Sequence, residues 1–156
     1  MPTNPLDFVL DGLMRRYRTR VPAVGGVIRA MLQSGLIHTE ADIENDHIAF
    51  RTLGVPHLGI QSLEKIFLHC GYDKREHYYF EGKKLDAYWY SPPQDHYPRI
   101  FISELRVGDL SPPAQSIRLI RPKLLQISGP IELRRRPGRR SILTFTIVAH
   151  ADSRRL

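Results

Sequence analysis

The order of hydrophobic patterns between residues 46 and 107 constrains the fold most strongly. Alternating apolar residues are typical of strands and apolar residues at helical spacing are typical of helices. By these criteria a first strand, 46–52, is followed by a helix, 60–71. Three further strands come after the helix, at 74–80, 85–91 and 99–107. A β-α-β-β-β unit of this kind forms a curved, mixed sheet with a helix on one side. The pattern therefore predicts an α+β fold, with the helix ending at Gly71.

Two amphipathic helices are predicted before this unit. The first spans 5–19, with Asn4 as its cap and Pro5 at its first position, where the missing N–H of proline costs nothing. The second spans about 23–34 and ends at Gly35, since glycine readily adopts the left-handed conformation that closes a helix. The predicted architecture is thus two N-terminal helices followed by one βαβββ module.

The basic charge of the chain lies in its last third. The 156 residues predict one domain, and their net charge is +7. Residues 1–111 carry 13 Lys and Arg against 14 Asp and Glu, whereas residues 112–156 carry 10 basic residues and only two acidic ones. The run from Arg134 to Arg140 is consistent with a solvated tail, with a polyanion contact, or with a segment foreign to the rest of the chain. Nucleic acid is disfavoured because no aromatic residues are interleaved for base stacking.

The expected compartment is the cytoplasm. The N-terminal residues lack the basic-then-apolar pattern of a secretory signal. No apolar run approaches the roughly 18 residues of a membrane helix, so no membrane partner is expected. The single cysteine, Cys70, cannot form an internal disulfide, and a reducing compartment suits it. Its position in a helical apolar stripe indicates packing.

The first strand of the unit carries a candidate site. Because side chains alternate in a strand, His47, Ala49 and Arg51 share one face and Ile48 and Phe50 the other. A small alanine leaves space between a potential metal ligand and a cation, an arrangement that can bind a metal-chelated anion. The alternative is a surface histidine and a surface arginine on a half-buried strand.

A carboxylate in the last strand is the second candidate. Glu104 shares a face with Ile100 and Ile102. A carboxylate among apolar neighbours is unfavourable unless a cation, a metal or hydrogen bonds meet it. Glu104 is therefore a possible metal ligand, a possible partner of Arg51, or a carboxylate satisfied by the backbone.

Four linked segments carry a resemblance to a known family. They are Asn45-Asp46-His47-Ile48-Ala49-Phe50-Arg51-Thr52, the helix Gly59–Leu68 with Gly71-Tyr72, Lys83–Pro93, and Pro98–Leu105. Together they resemble the 2-oxoadipate dioxygenase/decarboxylase family, which consists of iron enzymes related to the vicinal-oxygen-chelate fold. The resemblance covers residues 5–120.

The resemblance implies an iron enzyme. The family binds Fe(II) through two histidines and one glutamate, and converts 2-oxoadipate and O2 into 2-hydroxyglutarate and CO2 in lysine breakdown. His47 matches the first iron ligand and Arg51 matches the arginine that holds a substrate carboxylate. Neutral imidazole suits iron, and guanidinium pairs with carboxylate at two points. The implied partners are a small 2-oxo acid and O2.

The resemblance also predicts what this chain lacks. The family's other iron ligands lie in the second half of a longer chain, and nothing after residue 120 of this sequence matches that half. The surroundings of His150 do not resemble the segment that carries the second histidine ligand. Glu104 does not correspond to the family's glutamate, although related folds often place a ligand at such a strand position.

We therefore expect residues 1–120 to be the N-terminal portion of a dioxygenase-like domain, and 121–156 a basic, poorly ordered or non-family tail. The chain is expected to be a truncated form of the enzyme. The alternatives are a non-catalytic remnant or interaction domain of the same fold, and a polyanion binder acting through the arginine-rich tail.

Overall fold

Two helices begin the computed structural model, which describes residues 4–115, 132–134 and 141–148, the last two segments as backbone only. Helix α1 (Pro5–Arg20) begins where the Asn4 side chain accepts a hydrogen bond from the backbone N–H of Leu6 at 3.0 Å. Helix α2 (Ala23–Gln33) is followed by Gly35 at a φ of 68°, which confirms the predicted helix end. Within the described residues, no helix has both the length and the apolarity that crossing a membrane requires.

The predicted β-α-β-β-β order is confirmed. Its elements are β1 (Ile43–Leu53), α3 (Ile60–His69), β2 (Asp73–Phe80), β3 (Leu85–Ser91) and β4 (Arg99–Leu105). Strand β1 begins three residues earlier than predicted. Helix α3 stops at His69, because the chain turns at Gly71 with a φ of 86°.

The strands of the described residues belong to one mixed sheet. Two further strands, β5 (Glu132–Arg134) and β6 (Ser141–Val148), complete the order β2-β3-β4-β1-β6-β5. Strand β1 runs parallel to both its neighbours, β4 and β6, and the other pairs are antiparallel. The α+β class and the mixed sheet are thus confirmed. The division of the chain at residue 120 stays a prediction, and residues 135–140 of the arginine run and His150 lie outside the described residues.

The two faces of the sheet have different surroundings. Helices α1 and α3 pack against one face, which we call the helix face; its fully buried members are Ile48, Tyr90, Ile100 and Ile102. The opposite face, here called the open face, carries His47, Ala49 and Arg51 of β1, Arg99, Phe101 and Ser103 of β4, and Leu85, Ala87 and Trp89 of β3. The predicted alternation of β1 is therefore confirmed. Not every apolar residue of α3 is buried, since Ile66 is 46% exposed.

Candidate metal and anion-binding face

The candidate site is built on the open face by the register of two parallel strands. His47 pairs with Arg99 across the β1–β4 ladder, and Arg51 pairs with Ser103 four residues further along each strand. Ala49 lies between them and pairs with Phe101. Paired residues of neighbouring strands point to the same side, so the Phe101 ring lies on the same face as the predicted histidine and arginine.

His47 is oriented by an adjacent carboxylate. Its Nδ1 lies 3.0 Å from Oδ2 of Asp46, and its side chain is 27% exposed. The imidazole meets the ring of Phe101 edge-on, with ring centroids 5.2 Å apart. A metal-binding histidine commonly donates its second ring nitrogen to a carboxylate in this way, which leaves Nε2 for the metal.

Arg51 is a cation of the open face. Its side chain is exposed, and it forms no ion pair within the described part of the chain. It lines a cavity of about 180 Å³ together with Lys83, which also forms no ion pair with any described residue. The remaining wall is largely apolar and includes Phe80, Leu85 and Phe101. Two unpaired cations beside an apolar wall can hold an organic anion.

Glu104 lies on the other side of the sheet. Its Oε2 accepts a hydrogen bond from the backbone N–H of Ile60 at 2.6 Å, at the first residue of α3. A Cβ added to Gly59 would lie 2.6 Å from the same oxygen, so a larger residue at this position would displace the carboxylate. Of the alternatives for Glu104, the structure thus shows a carboxylate satisfied by the backbone.

The structure does not bring Glu104 together with the two candidates of β1. Glu104 pairs with Thr52, and alternation places Thr52 on the face opposite to His47 and Arg51. A single metal site that uses both His47 and Glu104 does not fit this geometry, because the sheet itself separates them. For the same reason Glu104 cannot be the partner of Arg51.

The described residues supply only part of a metal site. The imidazole held by Asp46 fits a ligand role, but no three His, Cys, Asp or Glu side chains cluster in the described part of the chain. A facial triad needs three protein ligands. His47 therefore fits one position of an iron site, and the others would have to come from outside the described residues.

Sequence reasoning missed Asp46 and Lys83. Strict alternation puts Asp46 on the face opposite to His47, and only a local irregularity in the strand turns the two side chains toward each other. Lys83 lies in the turn after β2, and nothing in the sequence aims a turn residue at a particular cavity. Cys70, in contrast, packs against the core as predicted.

Comparison with known proteins shows a family match. The family model described as 2-oxoadipate dioxygenase/decarboxylase matches residues 9–126. A rice protein (Oryza sativa subsp. japonica) named 2-oxoadipate dioxygenase/decarboxylase, chloroplastic/amyloplastic, is 51% identical over 119 residues, which are 70% of this chain and 32% of the rice protein. Its Arabidopsis thaliana counterpart, named as chloroplastic, is 40% identical over 83 residues, which are 46% of this chain and 22% of that protein.

A solved structure has the same fold. The hydroxyglutarate synthase of Oryza sativa, determined in complex with 2-oxoadipate, superposes with a TM-score of 0.62 at 36% identity. The match covers 72% of this chain and 38% of the rice chain. The present chain thus spans about a third, or less, of the length of the curated relatives that it matches.

The comparison corrects the predicted location. Cytoplasm was expected from the N-terminal residues and the single cysteine, but both curated plant relatives are named as plastid proteins. The expectation of a cytoplasmic protein is therefore wrong. A reducing environment, the only property that one cysteine indicates, does not identify the compartment.

Proposed function

Since the chain belongs to the 2-oxoadipate dioxygenase/decarboxylase family, we propose that its open face forms one wall of an Fe(II) site that converts 2-oxoadipate and O2 into 2-hydroxyglutarate and CO2. The proposed role in metabolism is lysine breakdown. One observation carries the proposal: Arg51, which forms no ion pair with a described residue, borders an apolar cavity and lies on the same sheet face as the carboxylate-held His47, four residues away in β1.

The chemistry of the substrate fits this face. 2-Oxoadipate has a carboxylate at each end, and the cavity has two cations, Arg51 and Lys83, with an apolar wall between strands β3 and β4. A guanidinium can bind one carboxylate at two points, and an ammonium acts as a point charge for the other. The apolar wall suits the methylene carbons of the substrate.

His47 is the proposed iron ligand of this wall. Its Nδ1 is engaged by Asp46, so Nε2 is the nitrogen that remains for a metal. Bound iron would supply a Lewis acid for the 2-oxo acid group and a binding position for O2. Arg51 would orient the substrate, and Phe101 would exclude water beside the imidazole.

Binding of 2-oxoadipate tests the anion site directly. Loss of a hydrogen-bonded charge pair costs about 1.5–3 kcal/mol, so Arg51→Gln is expected to weaken binding by roughly 10- to 100-fold in a calorimetric titration. The matched control is Arg29→Gln, which changes an exposed arginine of α2 that forms no ion pair with described residues. An unchanged affinity in Arg51→Gln, or an equal loss in both variants, contradicts the proposal.

A shortened ligand separates the two cations. Lys83→Gln should weaken 2-oxoadipate binding, whereas Lys65→Gln, an exposed change on α3, should not. 2-Oxohexanoate lacks the distal carboxylate, so its affinity should respond to only one of the Arg51 and Lys83 substitutions. If both substitutions weaken both ligands equally, the two-carboxylate assignment is wrong.

A second candidate is a non-catalytic domain of the same fold, and the incomplete ligand set of the described residues favours it. Anaerobic Fe(II) titration followed by O2 uptake with 2-oxoadipate distinguishes the two. Turnover that disappears in His47→Ala supports the enzyme. Binding of 2-oxoadipate through Arg51 without tight iron binding or turnover supports the non-catalytic domain.

A further inference from the structure

Two side chains outside the proposed ligand set lie beside His47. Asp46 Oδ2 lies 3.0 Å from Nδ1 of His47, and its other oxygen, Oδ1, lies 3.9 Å from Nη1 of Arg99. Arg99 is itself the partner of His47 across the β1–β4 ladder. We propose that Asp46, supported by Arg99, is a positioning residue that holds His47 in the Nδ1–H tautomer and so keeps the Nε2 lone pair available on the open face.

A β-bulge makes this contact possible. In the pairing of β1 with β6, Asn45 is opposite Leu143 and His47 is opposite Thr144, so Asp46 is one residue too many. Consecutive side chains of a regular strand point to opposite faces and cannot hydrogen bond to each other. A bulge bends the strand and re-aims a side chain, and here it turns the Asp46 carboxylate toward the neighbouring ring.

The tautomer matters because neutral imidazole has only one lone pair for a metal. When the proton is on Nδ1, where an ionised carboxylate can accept it, Nε2 is an acceptor. An unconstrained imidazole in water favours the opposite form, with the proton on Nε2, so the Asp46 contact must work against the intrinsic preference. Arg99 is exposed, and its distance of 3.9 Å from Asp46 is long for an ion pair. Arg99 therefore contributes less than Asp46 to the tautomer preference of His47.

A second histidine–aspartate pair provides an internal control. On strands β2 and β3, Nε2 of His77 lies 3.0 Å from Oδ1 of Asp86. The same chemistry thus predicts opposite tautomers for two histidines of one protein, Nδ1–H for His47 and Nε2–H for His77. This contrast distinguishes a specific hydrogen bond from any general effect of the fold or the solvent.

The inference rests on the proposed function only for the role of the Nε2 lone pair as a metal ligand, and its test needs no metal. Long-range ¹H–¹⁵N correlation spectra of the metal-free chain at about pH 9, where ordinary imidazole is neutral, report which ring nitrogen carries the proton. The His47 signals are assigned with His47→Gln. We expect Nδ1 of His47 to show the upfield shift of a protonated nitrogen, and Nε2 of His77 to do the same.

Substitution of each carboxylate gives the decisive comparison. Asp46→Ala should shift His47 to a population dominated by the Nε2–H form and leave His77 unchanged, whereas Asp86→Ala should leave His47 unchanged. Asp46→Asn preserves the side-chain volume and, together with the amide fingerprint, controls for a change in fold. Arg99→Gln should produce a smaller shift in the same direction as Asp46→Ala.

Two results would overturn the inference: an Nε2–H form of His47 in the unmodified chain, or a His47 tautomer that is unaffected by Asp46→Ala. The outcome is independent of the proposed function. A chain that binds neither iron nor 2-oxoadipate can still show the Nδ1–H form, and a chain that binds both can fail to show it.

Discussion

Removal of the Glu104 carboxylate should destabilise the protein without weakening any metal site at His47. Glu104 accepts a hydrogen bond of 2.6 Å from the first N–H of α3, on the helix face. A hydrogen bond to a charged group contributes about 1.5–3 kcal/mol, and a negative charge at a helix N-terminus adds about 0.3–1 kcal/mol. Glu104→Ala is therefore expected to lower the free energy of unfolding by about 2–3 kcal/mol, and Glu104→Gln, which can still accept the bond, by about 1 kcal/mol.

Urea denaturation monitored by circular dichroism measures this directly, with Glu44→Ala as the matched change of an exposed glutamate on β1. In a chain of this size, the melting temperature of Glu104→Ala should fall by roughly 5–10 °C. The reasoning is refuted if Glu104→Ala unfolds within about 0.5 kcal/mol of Glu44→Ala, which is the usual range of a surface substitution. It is also refuted if Glu104→Ala abolishes binding of a metal at His47, since the sheet separates the two residues.

Three further substitutions test other parts of the structure. Gly59→Ala should destabilise α3, because the added Cβ would lie 2.6 Å from the Glu104 carboxylate, and the double variant with Glu104→Ala should recover much of the loss in thermal melts. Burial and the hydrogen bond to Glu64 raise the pKa of Tyr90 in the folded chain. Above about pH 10 the unfolded chain therefore loses this proton first, and the free energy of unfolding falls by about 1.4 kcal/mol per pH unit. Tyr90→Phe should flatten that slope in alkaline denaturation curves. Backbone hydrogen bonds lower the pKa of Asp42, so Asp42→Asn should destabilise the chain at neutral pH, and the difference from the unmodified chain should vanish as the pH falls through the carboxylate range.

Local chemistry explains why most of the fold was predictable. The Asn4 cap and the glycines at 35 and 71 act within a few residues of the helix ends that they determine, and the alternation in β1 depends only on the geometry of a strand. The ends of α3 and β1 differ from prediction by two or three residues, because strand pairing and the Gly71 turn compete with the apolar pattern there.

The site was only partly predictable because it depends on contacts between distant segments. The alternation of β1 correctly placed His47 and Arg51 on one face, and the alternation of β4 placed Glu104 with Ile100 and Ile102. Those two isoleucines share the helix face with the apolar residues of β1. This arrangement follows from the β1–β4 register, which joins residues about 50 positions apart. The bulge at Asp46 arises from pairing with β6, nearly 100 residues away, and has no local signature.

The two-sided sheet also affects how a chain of this kind can change over time. The hydrogen bond that anchors α3 and the apolar core lie on the helix face, whereas the cations and the imidazole lie on the open face. A substitution at 49, 51 or 101 can alter the shape and charge of the cavity while the packed layer beneath keeps its volume and its hydrogen bonds. Changes in the shape and charge of the cavity could therefore accumulate with little cost in stability, because they leave the helix face unchanged.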